Sequence, residues 1–380
     1  MDTLRDKTIV IVCSDPGAAQ VVLLLHSILS AQHAQIRVIA RHSGKKIAQN
    51  MNISVESRHQ AYGSYSDIIR YLREERVDAI VTGTSLKDDI ERMYIRAGTS
   101  LGILTLSFID WWTSIRARFS YTRRKKIILP DWVGVVDDHA AALVRSTLGR
   151  TVNVVVMGHP YLTAIARQKH LSTTQKREII KELQLIVGAS TIVFFPEPLY
   201  PKTGFNQFII FQKIIQEIYQ MLKKNPALKV NLILKFHPNG QQPRLLSRYR
   251  RLVAFSSNPR IVVRYVCNEY SVGALIDLAD FVWGMNTTPL LEGMLRGKLV
   301  SSFLPDVSIP GIPFTREAGF CQSVDTYDKI IPLVKRLMTD QKFVRMALLK
   351  QKKYILPKKD FAQTMIHLLT SYVSSSHPRW

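Results

Sequence analysis

Short runs of β-branched and aromatic residues alternate along this chain with longer stretches whose apolar side chains recur every three or four positions. Lys7 to Cys13 is the first such run, closed by the turn signal Ser14-Asp15-Pro16-Gly17. Its length and composition predict a strand buried on both faces. Ala18 to Ala31 has apolar content over a helix length, and Ile36 to Ala40 predicts a second strand. Tyr65 to Glu75 predicts an amphipathic helix with Ile68, Ile69 and Leu72 on one face. A strand over Ala79 to Thr82, a helix over Lys87 to Thr99 and a strand over Ile103 to Phe108 follow, then short strands at Trp132 to Val136 and Val152 to Met157.

Gly158 to Ala189 interrupts the rhythm with a connection rich in helix formers. The alternation restarts with strands at Thr191 to Phe195, Val230 to Phe236, Arg260 to Arg264, Phe281 to Trp283 and Leu299 to Phe303. Helices are expected at Phe208 to Lys224, Thr288 to Arg296 and Lys358 to Val373. Strands separated by helices of this length predict parallel, doubly wound sheets. The expected organisation is an α/β domain over residues 1–165, a second over 166–355, and a helix and tail over 356–380.

Composition changes this picture in one respect. Lys and Arg number 52 against 29 Asp and Glu, a formal charge of +23. Such a balance implies an anionic partner: phosphate, nucleic acid or an acidic membrane surface. No helix-turn-helix, zinc finger or RNP aromatic pattern supports nucleic acid. Cys13, Cys267 and Cys321 are odd in number and far apart, which argues against a disulfide framework or a zinc site and suits a reducing cytoplasm. No signal peptide and no spanning segment is read in the sequence.

Missing motifs narrow the chemistry. There is no G-x-G-x-x-G, G-x-S-x-G, H-E-x-x-H or D-x-D, and Ser43-Gly44-Lys45-Lys46 lacks the first glycine and the trailing hydroxyl of a P-loop. No metal site and no cofactor is expected. Three positive signals lie in the second half. Lys235-Phe236-His237-Pro238 directly follows a buried strand, where ligands bind in doubly wound sheets. Lys235 offers a fixed positive charge and His237 an imidazole donor; the alternative is a structural His-Pro turn. Asn286-Thr287-Thr288-Pro289 sits between a strand and a helix, a position suited both to anions and to plain capping. Glu292, one turn beyond Thr288, can accept hydrogen bonds from ribose hydroxyls, or can simply favour an early helical turn.

With Gly158-His159-Pro160 and the run from Asn286 through Leu290-Leu291-Glu292-Gly293 to Lys298, these segments resemble the donor half of GT-B glycosyltransferases and of the related UDP-N-acetylglucosamine 2-epimerase. The K-x-H-P and paired-hydroxyl combination is also similar to that of bacterial sialyltransferases, Kdo transferases and CDP-glycerol polymerases. Asp88-Asp89 is followed by Ile90 where those sialyltransferases carry glycine. The resemblance implies an α/β GT-B architecture, two Rossmann-like doubly wound domains facing an inter-domain cleft. It implies a metal-independent, CMP- or UDP-linked sugar donor bound by the second domain through Lys235, His237, Asn286, Thr287, Thr288 and Glu292. A glycan or lipid-linked acceptor would be held by the first.

An inverting transfer needs a base to take the acceptor proton, worth about 10²–10⁴-fold in rate. Asp15 and Asp110 each follow a first-half strand, and both have bland alternatives, a turn for Asp15 and pairing with Arg116 or Arg118 for Asp110. Asp110 is preferred because Trp111 and Trp112 can stack on a sugar and raise a carboxylate pKa by desolvation. Gly17, Gly83, Thr84, Ser85, Trp112 and Arg118 complete the expected acceptor surface. The basic and aromatic stretch that ends in Arg123, Arg124, Lys125 and Lys126 suits an anionic membrane, on the inner face of the cell membrane if the protein is peripheral. The main alternatives to transfer are epimerisation or hydrolysis of a nucleotide sugar; nucleic-acid binding comes third.

Overall fold

The computed structural model describes residues 4–121, 126–196, 206–236, 243–254, 258–285, 287–305, 321–352 and 359–373. Contacts divide the chain into one unit of Met1–Thr163 with Leu356–Trp380 and another of Ala164–Ile355. The C-terminal segment thus belongs to the first unit.

In the first unit the chain forms β1 (Thr8–Cys13), α1 (Pro16–Val22), α2 (Leu25–Ser30), β2 (Gln35–Ala40), α3 (His42–Asn50), α4 (Tyr65–Glu74), β3 (Ala79–Thr82) and α5 (Ile90–Leu101). It continues through β4 (Leu104–Ile109), α6 (Ile115–Arg118), β5 (Trp132–Val135), α7 (Asp138–Leu148) and β6 (Val154–Val156), and the boundary with the second unit falls within α8 (Pro160–Arg167). The sheet is parallel throughout in the order β2-β1-β3-β4-β5-β6. β1, β3 and β4 are buried at every position, whereas the edge strand β2 begins exposed. Helices cover both faces of the central strands, so those strands read as continuous apolar runs.

The second unit repeats the plan with α9 (Thr173–Glu182), β7 (Ser190–Phe195), α10 (Gln207–Lys224), β8 (Val230–Lys235), α11 (Pro243–Ala254), β9 (Ile261–Val266), α12 (Val272–Leu278), β10 (Phe281–Gly284), α13 (Thr288–Leu295), β11 (Leu299–Phe303) and β12 (Gln322–Val324). Helices α14 (Ile330–Thr339) and α15 (Gln341–Gln351) follow. The parallel sheet runs β12-β11-β10-β7-β8-β9, so two strands lie beyond β7 on the side away from β10, where the first sheet has only β2 beyond β1. Its core gathers Phe194, Phe211, Ile214, Ile218, Tyr249 and Trp283 between β7, β8, β10 and the long α10. The last helix, α16 (Phe361–Val373), packs in the first unit, with Phe361 edge-on to Phe108 at 5.3 Å.

Local signals explain several boundaries. Ser64 and Asp67 form a reciprocal capping box at α4, and Ser172 and Gln175 do so at α9. Gly102 ends α5 at φ +69°, a conformation that glycine adopts without strain. Three expectations change. Pro16 and Gly17 are the first turn of α1 rather than a free turn. The expected helix from Ala18 to Ala31 is two short helices broken at Leu23-Leu24. Ser43-Gly44-Lys45-Lys46 lies inside α3, an element whose polar sequence hid it.

Candidate functional site

In doubly wound sheets ligands bind beyond the carboxyl ends of the strands, at the point where strand order reverses. That point lies between β1 and β3 in the first unit and between β7 and β10 in the second.

At the first switch point, Asp15 leaves β1 and its Oδ2 accepts the Leu86 N–H at 2.9 Å, tying the β1 loop to the β3 loop. Gly17 is required by proximity: a β-carbon there would lie 2.1 Å from Asp110 Oδ2. Asp110 Oδ1 accepts Arg118 Nη1 at 2.9 Å. The same guanidinium donates to the Thr84 carbonyl and hydroxyl and, through Nε, to the Thr113 carbonyl, each within 3.0 Å. Arg118 is buried and these bonds fix it. It anchors Asp110 instead of presenting a free cation to an acceptor.

Trp112 also departs from its expected role. Its ring is 2% exposed, and Nε1–H donates to both Asp137 oxygens at 3.0 Å while Asp137 caps α7. It therefore offers no open face for stacking on a sugar. Asp110 is held by the Arg118 guanidinium. The small-residue loop after β3 is likewise turned inward. Thr84 and Ser85 are buried; the Thr84 hydroxyl donates to the Phe108 carbonyl, and Ser85 Oγ accepts the Asp88 N–H. Gly83 admits α1, since a β-carbon there would sit 2.7 Å from Ala18 Cβ. These residues build the loop; their hydroxyls are not free for an acceptor.

The same edge assembles groups that sequence spacing did not connect. Asp88 accepts hydrogen bonds from Ser14 Oγ at 3.2 Å, Arg41 Nη1 at 3.4 Å and the Ile90 N–H at 3.0 Å. His42 Nε2 lies 3.2 Å from Asp88 Oδ2, the oxygen that also accepts from Ser14. The His42 ring is 73% exposed, and its backbone is left-handed at φ +46°, a conformation sparsely populated outside glycine and found at functional sites. Gly44 makes this geometry accessible. It lets α3 close on β1, where a β-carbon would meet the Cys13 carbonyl oxygen at 3.0 Å, and its N–H donates to Ser14. The only sequence sign was the acidic pair Asp88-Asp89 ahead of a helix.

Two buried titratable groups lie in this neighbourhood. Glu91, in the first turn of α5, has no hydrogen-bond partner for either carboxyl oxygen among the described residues. Burial, reinforced by Asp88 and Asp15, pushes its pKa up to about 8. His159 packs edge-on to Phe108, with no described partner for Nδ1. Burial lowers its imidazole to about 4, with the Asp110 charge pulling the other way.

In the second unit, Lys235 ends β8 and is buried to 8% exposure. Burial lowers its ammonium pKa, opposed by Glu269 and Cys267. Thr287 stands at the N-cap of α13 with extended backbone and makes no capping bond with its side chain. The plain-cap alternative thus does not consume its hydroxyl. Thr288 opens the helix, and both threonines are half-buried. Glu292 is buried in the second turn, not the first, so the helix dipole does not account for it. The end of the resembling run is structural: Arg296 pairs with buried Asp277 and Lys298 donates to the Asp277 and Ala279 carbonyls. His237, Asn286, Arg123, Arg124 and Lys125 lie outside the described residues. Among the described residues, no group of three or more His, Cys, Asp and Glu could hold a metal ion. None of the described helices is long and apolar enough to cross a membrane.

This architecture is the GT-B fold. Similar solved structures include an S. aureus MnaA–UDP complex (TM-score 0.65, 13% identity, covering 97% of each chain). A Rickettsia africae glycosyltransferase aligns with TM-score 0.61 at 13% identity, over 98% of this chain and 100% of that one. A Neisseria meningitidis UDP-GlcNAc 2-epimerase bound to UDP-GlcNAc aligns with TM-score 0.59 at 14% identity, over 96% and 100%. No family model and no curated protein sequence matches the chain.

Proposed function

We propose that the protein is a metal-independent glycosyltransferase that moves a sugar from a UDP- or CMP-linked donor to a glycan or lipid-linked acceptor in the cytoplasm. One observation carries this reading: two six-stranded parallel sheets bear complementary chemistry at their carboxyl edges. The second edge offers Lys235 and the start of α13, both suited to phosphate. The first offers carboxylates and an imidazole suited to proton transfer.

In this mechanism Lys235, Thr287 and Thr288 hold the donor diphosphate or monophosphate, and Glu292 accepts from the ribose. His237 is assigned on sequence grounds to the leaving phosphate, where charge develops as the glycosidic bond breaks. On the first unit His42 is the base: with Nε2–H directed to Asp88, the proton-accepting nitrogen is Nδ1 of a largely exposed ring. The acceptor hydroxyl gives its proton to Nδ1 as its oxygen bonds the anomeric carbon. The anomeric carbon–phosphate oxygen bond breaks, and its electron pair leaves on the phosphate. Asp110 is the second carboxylate of the site, held in place by Arg118.

A second reading has support of its own. UDP-GlcNAc 2-epimerases from several organisms share the fold, and an epimerase needs no acceptor. Thermal denaturation with UDP, CMP, UDP-GlcNAc and UDP-glucose tests nucleotide use. A ligand at about 100 times its Kd stabilises by about 2.7 kcal/mol, and no shift with any of them would overturn both readings. Epimer formation from UDP-GlcNAc alone would favour the second. Turnover that disappears in EDTA and returns with Mg²⁺ would overturn the metal-independent mechanism.

A further inference from the structure

Helix α15 presents an outer stripe unlike any other described helix face. Lys342, Arg345, Met346, Leu349 and Lys350 fall at i, i+3, i+4, i+7 and i+8, and all five are exposed. Met346 is 58% and Leu349 50% exposed, large values for apolar side chains that lie one turn apart. The helix contains no Asp or Glu. Its N-cap Asp340 is committed to the Phe343 N–H and to Arg336.

The rotation of this helix is fixed from inside. Ala347 and Gln351 are buried, and the Gln351 amide accepts from the Val300 N–H at 3.0 Å and donates to the Lys298 carbonyl at 2.5 Å. The stripe cannot turn inward without breaking both bonds. An apolar pair ringed by long basic side chains is the pattern of a helix lying in a lipid interface, with Lys and Arg reaching outward to headgroups. We propose that α15 docks the protein on an anionic phospholipid bilayer, with Met346 and Leu349 entering the headgroup boundary and Lys342, Arg345 and Lys350 pairing with lipid phosphates. A second copy of the chain fits poorly, because a two-fold contact here would set these cations against themselves. Two apolar side chains also fall far short of the roughly 20–30 residues a side of a stable protein interface.

Co-flotation of the full chain with phosphatidylcholine vesicles, and with vesicles containing about one-third phosphatidylglycerol, tests this at about 50 and 300 mM salt. Binding is expected only to the anionic vesicles, and weakening with salt. Each cation is worth about fivefold, so Lys342→Gln/Arg345→Gln/Lys350→Gln should lose about 100-fold. Met346→Ser/Leu349→Ser should lose about tenfold or more at either salt concentration. All five positions are exposed, so melting temperatures should match the parent and exclude unfolding as the cause. Parent-like binding by both variants, or no binding of the parent, overturns the proposal. So does loss confined to Arg123→Gln/Arg124→Gln/Lys125→Gln, or a concentration-dependent dimer abolished by Met346→Ser/Leu349→Ser without vesicle binding.

Discussion

The carboxyl edges of the two six-stranded parallel sheets each have a point where strand order reverses, and they differ in how their polar groups are used. At the first edge nearly every charged group is already engaged with another part of the protein: Arg118 with Asp110 and Thr84, Asp88 with Ser14, Arg41 and His42, Asp15 with the Leu86 N–H. At the second, Lys235 is buried without an ion pair among the described residues, and the Thr287 hydroxyl makes no cap. A preorganised network costs little reorganisation when a proton moves. Cationic and hydroxyl groups not spent on the fold can be spent on a phosphate. On the proposed reading the first edge does the chemistry and the second the binding, and variants should separate the two.

The largest separation is expected from His42→Asn, since asparagine tolerates the left-handed backbone and cannot act as the base. Turnover should fall about 10²–10⁴-fold, with UDP affinity by calorimetry unchanged. Unaltered turnover would return the base to Asp110. Lys235→Met should do the reverse, weakening UDP binding by about 10–100-fold through loss of a charged hydrogen bond while the pH profile keeps its shape.

Two stability predictions probe why the first edge is so closely packed. Glu91 holds its proton in the folded state up to about pH 8, whereas an unfolded glutamate releases it above about pH 4.5. The folded state therefore binds more protons across that window, and stability falls as pH rises through it. Glu91→Gln removes this dependence. The variant should gain stability over the parent progressively from about pH 4.5 to 8, by a few kcal/mol at most, read by urea denaturation at several pH values; parallel curves would mean the carboxyl ionises freely. Gly17→Ala drives a methyl into Asp110 and should cost about 1–3 kcal/mol. Its melting temperature should fall while UDP affinity on the other unit stays constant.

The sheets were legible because their central strands are buried on both faces and so appear as uninterrupted β-branched runs, as in Thr8–Cys13 and Val230–Lys235. Helix α3 was not, because His42-Ser43-Gly44-Lys45-Lys46 is polar and turns few apolar side chains inward. That omission concealed His42, whose partner Asp88 lies 46 positions away and meets it only through parallel pairing of β1 with β2 and β3. Asp110 was found as a strand-end carboxylate, but its pairing with Arg118 and the turning of Trp112 to Asp137 are tertiary choices. Spacing alone left them open. In the second unit the strand-end positions of Lys235, Thr287 and Thr288 followed from periodicity. Glu292 lies one turn beyond Thr288, where the spacing puts it, which sets aside only the alternative of a dipole-favoured early turn.

The Gln351 amide that joins α15 to β11 does with one side chain what a neighbouring strand would otherwise do. β12 pairs only with Ser301 to Phe303 of β11, so the Val300 N–H relies on Gln351 for its acceptor. This makes the exchange of that amide with solvent deuterium a measure of how often α15 lifts from the sheet. Slower exchange at Val300 on adding vesicles would register lipid contact on the outer face of the same helix, with no label attached to the protein.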